Sequence, residues 1–381
     1  MGQSVLISGG GIVGSYLGLE LASRRVPFKI VESHQPNLSK EIGIRTLTVN
    51  HSVAERLGEL GVEIPNALID RMNVHDGIGS GSISFHSDEA DIGYLAKVMN
   101  FDELRNALIQ KAGDVFIFND SVESFVADDE SITVTLSNGS TRTEALLVAA
   151  EGRNSKIAKQ ISNNGFTKNY HQVAHTFLVD IPDLDSNTAI QVFHEKEIFA
   201  LMPCISDQAS NCFSVVWSLP EDPNLPSHEL AMTGLTKFEN KLSCSITPVS
   251  EPLSFPLYAH HLDSYCERGV CIIADAAHSI HPLAGQGINL GFADAAILAE
   301  EIERAFHAGQ NIGHLAFLKK YELRRKTLNS SMLRGVDTLF EIFQQDNPYF
   351  RVLRNTGLRL INRFSLLKKI FILHASGMKK I

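Results

Sequence analysis

Three glycines near the start of the chain constrain its fold more than any other feature. Gly9, Gly11 and Gly14 follow the apolar run SVLIS (4–8) and precede an Ala/Leu-rich segment. A second apolar run, PFKIVE (27–32), comes next. This order predicts a strand, a tight glycine turn, a helix and a second strand, which together form a βαβ unit.

The same glycines predict a dinucleotide site. Gly9 permits the turn, Gly11 lets the backbone approach a pyrophosphate, and Gly14 allows the helix to pack closely. The N-terminus of the helix then stabilises the phosphate charge. Glu32, 18 residues after Gly14, is placed to accept hydrogen bonds from ribose hydroxyls. Because an acid here disfavours a 2′-phosphate, the expected nucleotide is FAD or NAD.

Length and composition predict a cytoplasmic protein of about two domains. A chain of 381 residues exceeds the size at which one hydrophobic core usually keeps growing. No stretch reaches the roughly 18 consecutive apolar residues of a membrane span, and the first residues enter a strand pattern without a signal peptide. The five cysteines include no CxxC pair, so we expect them to be reduced.

The patterns along the chain predict an α/β protein with a second lobe of antiparallel strands. Helices are expected at 51–60 and 102–113, and the chain is expected to be helical from about 314 onwards. Alternating apolar residues predict antiparallel strands at 73–95 and mostly strands at 173–257.

Two further segments carry more detailed predictions. The runs VFIFN, VESFV, ITVTL and ALLVAA, between residues 115 and 150, predict a short meander whose last strand is buried. The run GVCIIAD (269–275) predicts another buried strand. Beyond it, apolar residues spaced by four and three predict one face of a helix: Ile288, Phe292, Ala295, Ala299 and Ile302.

The stretch HPLAGQGINLGFAD (281–294) predicts a tight loop whose backbone a ligand approaches closely. With the preceding IADAAHSI, it resembles the second FAD fingerprint of class A flavoprotein monooxygenases, which have the p-hydroxybenzoate hydroxylase fold. Within that group it resembles the ubiquinone-biosynthesis hydroxylases. The resemblance continues in FPLYAHHLDSYCERG, FALMP, VVWSLP and LRNTGLRLINRFSLLKKIFILHASG, and so it extends over most of the chain.

The resemblance implies a Rossmann-like FAD-binding domain, an interleaved antiparallel-sheet substrate domain and a C-terminal helical region. The implied borders are 1–72, 97–168 and 258–316 for the FAD-binding domain, 73–96 and 169–257 for the substrate domain, and 317–381 for C-terminal helices with a basic tail.

The resemblance also implies which residues meet the cofactor. Asp275 would bind the ribityl chain, Val122 would hold adenine through its main chain, and Arg45 would lie near the flavin and its phosphates. The full implied FAD set is Gly9, Gly11, Gly14, Glu32, Arg45, Arg105, Val122, Glu151, Gly152, Asp275, Gly287, Ile288 and Asn289. The catalytic positions are those of the loop beside the flavin, with no side-chain acid or base assigned: Pro282, Gly285, Gln286 and Gly287.

In the family, NADH or NADPH reduces the flavin, and O₂ then gives a flavin hydroperoxide that transfers OH to an electron-rich ring. The resemblance therefore implies a hydroxylase of a lipophilic aromatic substrate, a polyprenylated phenol or quinol of ubiquinone biosynthesis. A hydroxylase of a soluble aromatic acid is a second interpretation.

Three positions depart from the family pattern. Glu151 stands where aspartate is usual, Ala274 stands where glycine is usual, and Phe101 stands where a polar or basic residue often precedes Arg105. Glu151 and Ala274 are each able to shift a main chain that packs against the cofactor, whereas Phe101 bears only on the assignment of Arg105. A third interpretation is therefore a non-catalytic subunit that keeps the fold as a scaffold of a quinone-biosynthesis assembly.

Two other features need an account. His278 and His281 form an HxxH with no third ligand nearby in sequence, so we predict no metal site. The last 31 residues contain eight Arg or Lys and no Asp or Glu, against a net charge of −9 for the chain. This basic tail predicts either a capping helix or peripheral contact with an anionic inner-membrane surface or a partner complex. Nucleic acid is not an expected partner.

Overall fold

The computed structural model describes residues 3–36, 42–161, 164–221, 229, 234–282, 285, 287–344, 355–357 and 364–378. The helices in these residues are α1 (Ile12–Ser23), α2 (His51–Glu59), α3 (Phe101–Ala112), α4 (Lys156–Ile161), α5 (Thr236–Leu242), α6 (Gly287–His307), α7 (Leu315–Gln344) and α8 (Ser365–Ala375). The strands are β1 (Val5–Ser8), β2 (Phe28–Glu32), β3 (Thr46–Asn50), β4 (Asn66–Ile69), β5 (Arg71–Asp76), β6 (Ser82–His86), β7 (Ala96–Asn100), β8 (Phe116–Phe118), β9 (Val122–Ala127), β10 (Ile132–Leu136), β11 (Thr141–Glu144), β12 (Leu146–Ala149), β13 (Gly165–Asp180), β14 (Thr188–His194), β15 (Glu197–Pro203), β16 (Cys212–Pro220), β17 (Thr247–Pro248), β18 (Leu253–Leu262), β19 (Cys266–Glu267), β20 (Val270–Ile272) and β21 (His278–Ser279).

A parallel sheet forms the first layer of the molecule. Its strand order is β19-β20-β12-β1-β2-β8, and only the β19–β20 pair is antiparallel. The central strands read as continuous apolar runs because both faces of the sheet are covered. β1 and β12 are fully buried, and α1 packs against both α3 and α6. The predicted βαβ unit is confirmed.

A nine-stranded sheet forms the second lobe. Its order is β21-β18-β13-β16-β15-β14-β5-β6, with β17 paired to β13. Two three-stranded sheets complete the described strands, β11-β10-β9 beside the parallel sheet and β3-β7-β4 between the lobes. The helical C-terminal region and the mixture of parallel and antiparallel sheets confirm the predicted fold class.

Local sequence explains where the shorter helices begin and end. The side chain of Asn50 accepts a hydrogen bond from the Val53 amide and so caps α2. Asn100 caps α3 in the same way, and Gly113 ends that helix with a φ of +70°. The predicted apolar face of α6 is confirmed, since Phe292, Ala295, Ala299 and Ile302 are at most 1 % exposed.

The predicted meander is wrong at both ends. β8 pairs in parallel with β2, and β12 pairs in parallel with β1, so both strands belong to the parallel sheet. Only β9, β10 and β11 form the antiparallel meander. The alternation of apolar residues was correct, but it does not specify which distant strand becomes the partner.

The domain borders stay a prediction. Strands of the nine-stranded sheet extend past the borders implied by the resemblance, because β13 begins at Gly165 and β18 ends at Leu262. All five cysteines are free thiols, as expected. Among the described residues, no helix combines the length and apolar character needed to cross a membrane.

Candidate functional site

The glycine turn after β1 has the geometry that a pyrophosphate requires. Gly9 has a φ of +103°, and a Cβ there would lie 2.5 Å from the carbonyl oxygen of Ala150. A Cβ on Gly14 would lie 1.9 Å from the carbonyl oxygen of Gly9, so this residue permits the close packing of α1. A Cβ on Gly11 would meet no described atom within 4 Å. Two glycines therefore serve packing, and Gly11 faces open space at the N-terminus of α1.

Glu32 lies at the end of β2, beside this turn. Its carboxylate accepts hydrogen bonds from the Gly10 amide at 2.7 Å and from the His34 amide at 3.2 Å. The side chain is half-buried. Glu32 thus fixes the glycine turn against the next strand and presents a carboxylate at the sheet edge where the parallel strands end.

Glu151 is held by hydrogen bonds on both sides. One carboxylate oxygen accepts from the Ser8 hydroxyl at 2.6 Å, and the other accepts from the Ser155 hydroxyl at 2.7 Å and the Lys156 amide at 3.1 Å. The side chain therefore ties the end of β1 to the N-terminus of α4. Next to it, Gly152 has a φ of +75°, and a Cβ there would meet no described atom within 4 Å.

Asp275 lies in the short 3₁₀ turn Ala274–Ala276 that follows β20. The carboxylate is partly exposed, but surrounding protein desolvates it and raises its pKa. The charges of His278, Arg153 and Arg45 act in the opposite direction on the pKa of Asp275. The Asp275 carboxylate therefore lies within electrostatic range of these basic side chains, just after the end of β20.

Arg45 and Arg105 were both predicted near the phosphates. The guanidinium of Arg45 stacks over the ring of Phe101 at 4.3 Å, so Phe101 supports this cation. Arg105 lies one helical turn along α3, and its Nη2 is 3.4 Å from Asp102. Its Nε is buried and has no hydrogen-bond partner among the described residues. Such a donor fits an acceptor that the protein chain does not supply.

The loop from Pro282 to Gly287 is shaped by tight contacts. The Gly285 amide donates to the Pro282 carbonyl at 3.3 Å, and Gly285 has a φ of +63°. A Cβ on Gly285 would lie 3.1 Å from Cβ of Thr48, whereas a Cβ on Gly287 would meet no described atom within 4 Å. Gln286 lies outside the described residues. Gly287 therefore combines open space with the start of α6, where amides attract negative charge.

Asn289 braces this loop rather than facing a ligand with its side chain. Its Nδ2 donates to the carbonyls of Thr48 at 2.9 Å and Gly285 at 3.2 Å, and its Oδ1 accepts from the Asn50 amide at 2.9 Å. Only main-chain groups of Asn289 and its half-buried neighbour Ile288 remain to meet a cofactor. Val122 likewise has only main-chain groups to offer a cofactor, because this residue, at the start of β9, is 2 % exposed.

A buried polar network lies beneath the loop, and sequence reasoning missed it. Asp294 accepts hydrogen bonds from the Ala274 amide at 2.9 Å and from His278 at 2.6 Å. It also accepts from Arg325 at 2.7 Å and from Asn329 at 3.2 Å, both on α7. Asp294 closes the quoted HPLAGQGINLGFAD stretch, so its position was visible, but nothing in the sequence pointed to Arg325.

The two histidines of the HxxH pattern point to different partners. His278 bonds to Asp294, whereas His281 bonds through Nε2 to Gln172 at 3.1 Å. No group of three or more His, Cys, Asp or Glu side chains in the described part of the chain is arranged to hold a metal ion. Two aromatic side chains of the nine-stranded sheet also have defined contacts. Trp217 is buried and donates to Glu197, and Tyr258 lies under Arg153.

These features fit the chemical groups of FAD. Open space lies at Gly11, Gly152 and Gly287, a buried donor without a partner among the described residues lies on Arg105, and an exposed acidic residue lies at Asp275. The FAD diphosphate would meet the amides at Gly11, and its hydroxyl-bearing ribityl chain would meet the Asp275 carboxylate. The flavin ring, which becomes anionic on reduction, would meet the N-terminus of α6 at Gly287.

Comparison with known proteins adds independent information. The family model described as "FAD binding domain" matches residues 3–335. A ubiquinone hydroxylase of Rhodospirillum rubrum is 27% identical over 99% of this chain and 90% of its own length. The 3-demethoxyubiquinol 3-hydroxylase of Escherichia coli is 25% identical over 98% of each chain. The structure of Klebsiella pneumoniae HpxO complexed with FAD and uric acid shares the fold, with a TM-score of 0.76, 19% identity and 97% of each chain covered.

Proposed function

Because this chain belongs to the FAD binding domain family, which it matches over residues 3–335, we propose that it is an FAD-dependent monooxygenase that hydroxylates a polyprenylated phenol or quinol in ubiquinone biosynthesis. The observation that carries the proposal is the near full-length similarity to a ubiquinone hydroxylase and a 3-demethoxyubiquinol 3-hydroxylase. The reductant is NADH or NADPH, and the other substrate is O₂.

The cofactor is held by main-chain groups more than by side chains. The Gly11 amide and the start of α1 bind the diphosphate, with Arg45 and Arg105 as cations nearby. Glu32 accepts from the ribose, Asp275 from the ribityl chain, and main-chain groups of Val122 bind adenine. Glu151 and Gly152, directly after β12, complete the residues that hold the cofactor. Support for this assignment comes from the open space and the unpartnered Arg105 Nε described above.

Bound FAD supplies the redox chemistry and the activation of O₂. The chain contributes placement and electrostatics. The Gly285 amide and the amides at the N-terminus of α6, at Gly287, Ile288 and Asn289, would stabilise negative charge on the flavin pyrimidine. Two cross-contacts hold the wall of the site next to this turn: the Thr46 hydroxyl donates to Ser214 at 2.7 Å, and the Thr48 hydroxyl lies 2.9 Å from the Met202 sulfur. Both link β3 to the substrate lobe and help to exclude water.

The absorption spectrum of the purified protein tests the proposal first. A yellow protein whose absorbance near 450 nm is bleached by NADH or NADPH is the expected result, about one FAD per chain. A colourless protein that takes up no added FAD would support the scaffold interpretation. Lipid analysis of a deletion strain then identifies the substrate, because the accumulated quinone precursor lacks one hydroxyl. Accumulation of a soluble aromatic acid would favour the second interpretation instead.

The C-terminal helix bears on the proposed membrane contact. Within α8, the buried Lys368 bonds to Glu89, and the partly exposed Lys369 lies 2.7 Å from Asp91, so both lysines pair with acidic residues of the turn after β6. Ile372 is buried beneath them. The outward face is apolar instead, with side chains 42 to 71% exposed: Phe364, Leu366, Leu367, Ile370, Phe371 and Met378. The other basic residues of the tail lie outside the described residues.

We therefore propose peripheral membrane contact that depends on these apolar side chains, in addition to the basic tail. Flotation with anionic and neutral vesicles tests it: Leu366→Ser with Phe371→Ser should reduce binding to both kinds of vesicle, by about 1.5 to 3 kcal/mol per side chain at most. Leu323→Ser is the matched control, since Leu323 is 74% exposed on α7, outside this face. Binding that persists in the double variant and after deletion of residues 351–381 would exclude this surface.

A further inference from the structure

Ala274 adopts a backbone conformation that favours glycine. Its φ is +54°, in the left-handed region, where a Cβ crowds the neighbouring carbonyl. Alanine has no intrinsic preference for this conformation, so contacts with the surrounding residues must stabilise it. The next residue is Asp275, so the conformation at Ala274 sets the direction in which the Asp275 carboxylate leaves the turn.

The surroundings of Ala274 are shaped to accept it. Its amide donates to Asp294 at 2.9 Å, which fixes the orientation of the peptide before it. Its methyl group lies where residue 291 carries no side chain, since a Cβ on Gly291 would be 3.0 Å from Cβ of Ala274. Asp294 and Gly291 both lie on α6, directly after the cofactor loop.

Asp294 is itself held in place by hydrogen bonds from several elements, among them bonds from His278 and Arg325. Its side chain is fully buried, and His278 and Arg325 bond to opposite oxygens of the carboxylate. These contacts outweigh the desolvation of the carboxylate and hold its pKa below the usual range. A carboxylate with four donors and no exposure has one possible position.

We propose that Asp294 is a positioning residue for the cofactor: it holds the main chain at Ala274 in the left-handed conformation so that Asp275 faces the ribityl chain of FAD. Asp294 acts through Ala274 and does not touch the cofactor. The inference rests on the proposed role of Asp275 in binding FAD, although the coupling between Asp294 and Ala274 does not.

A double-variant cycle tests the proposal. Asp294→Asn should weaken FAD binding by about tenfold or more, because one carboxylate oxygen becomes an NH₂ group that faces other donors, and the side chain then no longer holds the Ala274 amide in a fixed position. Glycine adopts positive φ without a brace, so adding Ala274→Gly to Asp294→Asn should recover most of that affinity. The readout is the dissociation constant of FAD by fluorescence titration. An equal loss in the single and double variants would overturn the proposal, because a general packing defect is not repaired by removing a methyl group.

A second measurement keeps the test independent of FAD. The same four proteins are unfolded in urea without cofactor, and the destabilisation by Asp294→Asn should be smaller in the Ala274→Gly background. If Asp294→Asn does not fold, His278→Gln replaces it, since this change alters one of the two donors to Oδ2, the oxygen that also accepts from the Ala274 amide. It should weaken FAD binding several-fold, again with recovery by Ala274→Gly. Strictly additive effects in both cycles would refute the positioning role. Failure of the unaltered chain to bind FAD would instead refute the proposed function.

Discussion

Replacing Glu151 with aspartate should lower the stability of this protein, although aspartate is the usual residue at this position in the class A flavoprotein monooxygenases. The Glu151 carboxylate spans from the Ser8 hydroxyl to the Ser155 hydroxyl and the Lys156 amide. Aspartate is shorter by one carbon–carbon bond of about 1.5 Å, so it cannot keep both sides. If the cap on α4 is kept, the 2.6 Å contact to Ser8 opens to about 4 Å, beyond hydrogen-bond range.

The expected cost follows from the burial of Ser8. Its side chain is 2% exposed, so a hydroxyl left without an acceptor is costly, roughly 1–3 kcal/mol. Local relaxation will reduce this, and we expect Glu151→Asp to lower the free energy of unfolding by about 1–2 kcal/mol. Losing the cap on α4 instead would cost about the same. FAD affinity should not improve, because the Glu151 side chain acts through the fold.

Urea unfolding followed by circular dichroism measures this directly. Glu123→Asp is the matched control, because Glu123 is exposed on β9 and the same shortening there should change stability by no more than about 0.5 kcal/mol. Glu151→Gln keeps the length and should fall between the two. A Glu151→Asp protein as stable as the parent, or one that binds FAD more tightly, would show that the bonds to Ser8 and α4 do not determine the residue at 151.

Two further predictions concern the glycine turn and buried histidines. Gly11→Ala should fold, since its Cβ meets no described atom within 4 Å, but it should bind FAD at least about tenfold more weakly. Gly14→Ala should not fold, because its Cβ would lie 1.9 Å from the Gly9 carbonyl oxygen. An FAD affinity unchanged by Gly11→Ala would contradict the proposed pyrophosphate site. Burial lowers the pKa of His261 to about 4 and that of His281 to about 3, so below about pH 6.5 the unfolded chain binds protons that the folded chain does not, and stability should fall from pH 7 to pH 5. Identical urea midpoints at these two pH values would refute this.

Sequence patterns predicted the parts of the fold that depend on neighbouring residues. The βαβ unit and the buried face of α6 follow from spacing within about 20 residues, and both are confirmed. The partners of β8 and β12 could not be predicted, because a short apolar strand fits a meander or a parallel sheet equally well. The residues of a strand do not indicate which strand, distant in sequence, it will pair with.

The candidate site shows the same division. The glycines after β1 were identifiable from their spacing, and Asp275 from the family resemblance, but the contacts that support them were not. Glu151 meets Ser8, and Asp294 meets Arg325 across 31 residues of sequence. The same holds in the tail, because nothing near Lys368 and Lys369 in the sequence indicates their partners Glu89 and Asp91, which lie in a distant turn.

The long helix α7 makes the two lobes one cooperative unit. At 30 residues it is about 45 Å long. Near its middle Arg325 neutralises Asp294 under the cofactor loop, and towards its end Phe340 and Phe343 pack on Tyr170 and Phe193 of the large sheet. A chain cut at residue 316 would keep every strand of the parallel sheet and still bury Asp294 without its arginine. We therefore expect that the nucleotide-binding half does not fold on its own. Insertions or gene fusions near residue 316 should destabilise both lobes together.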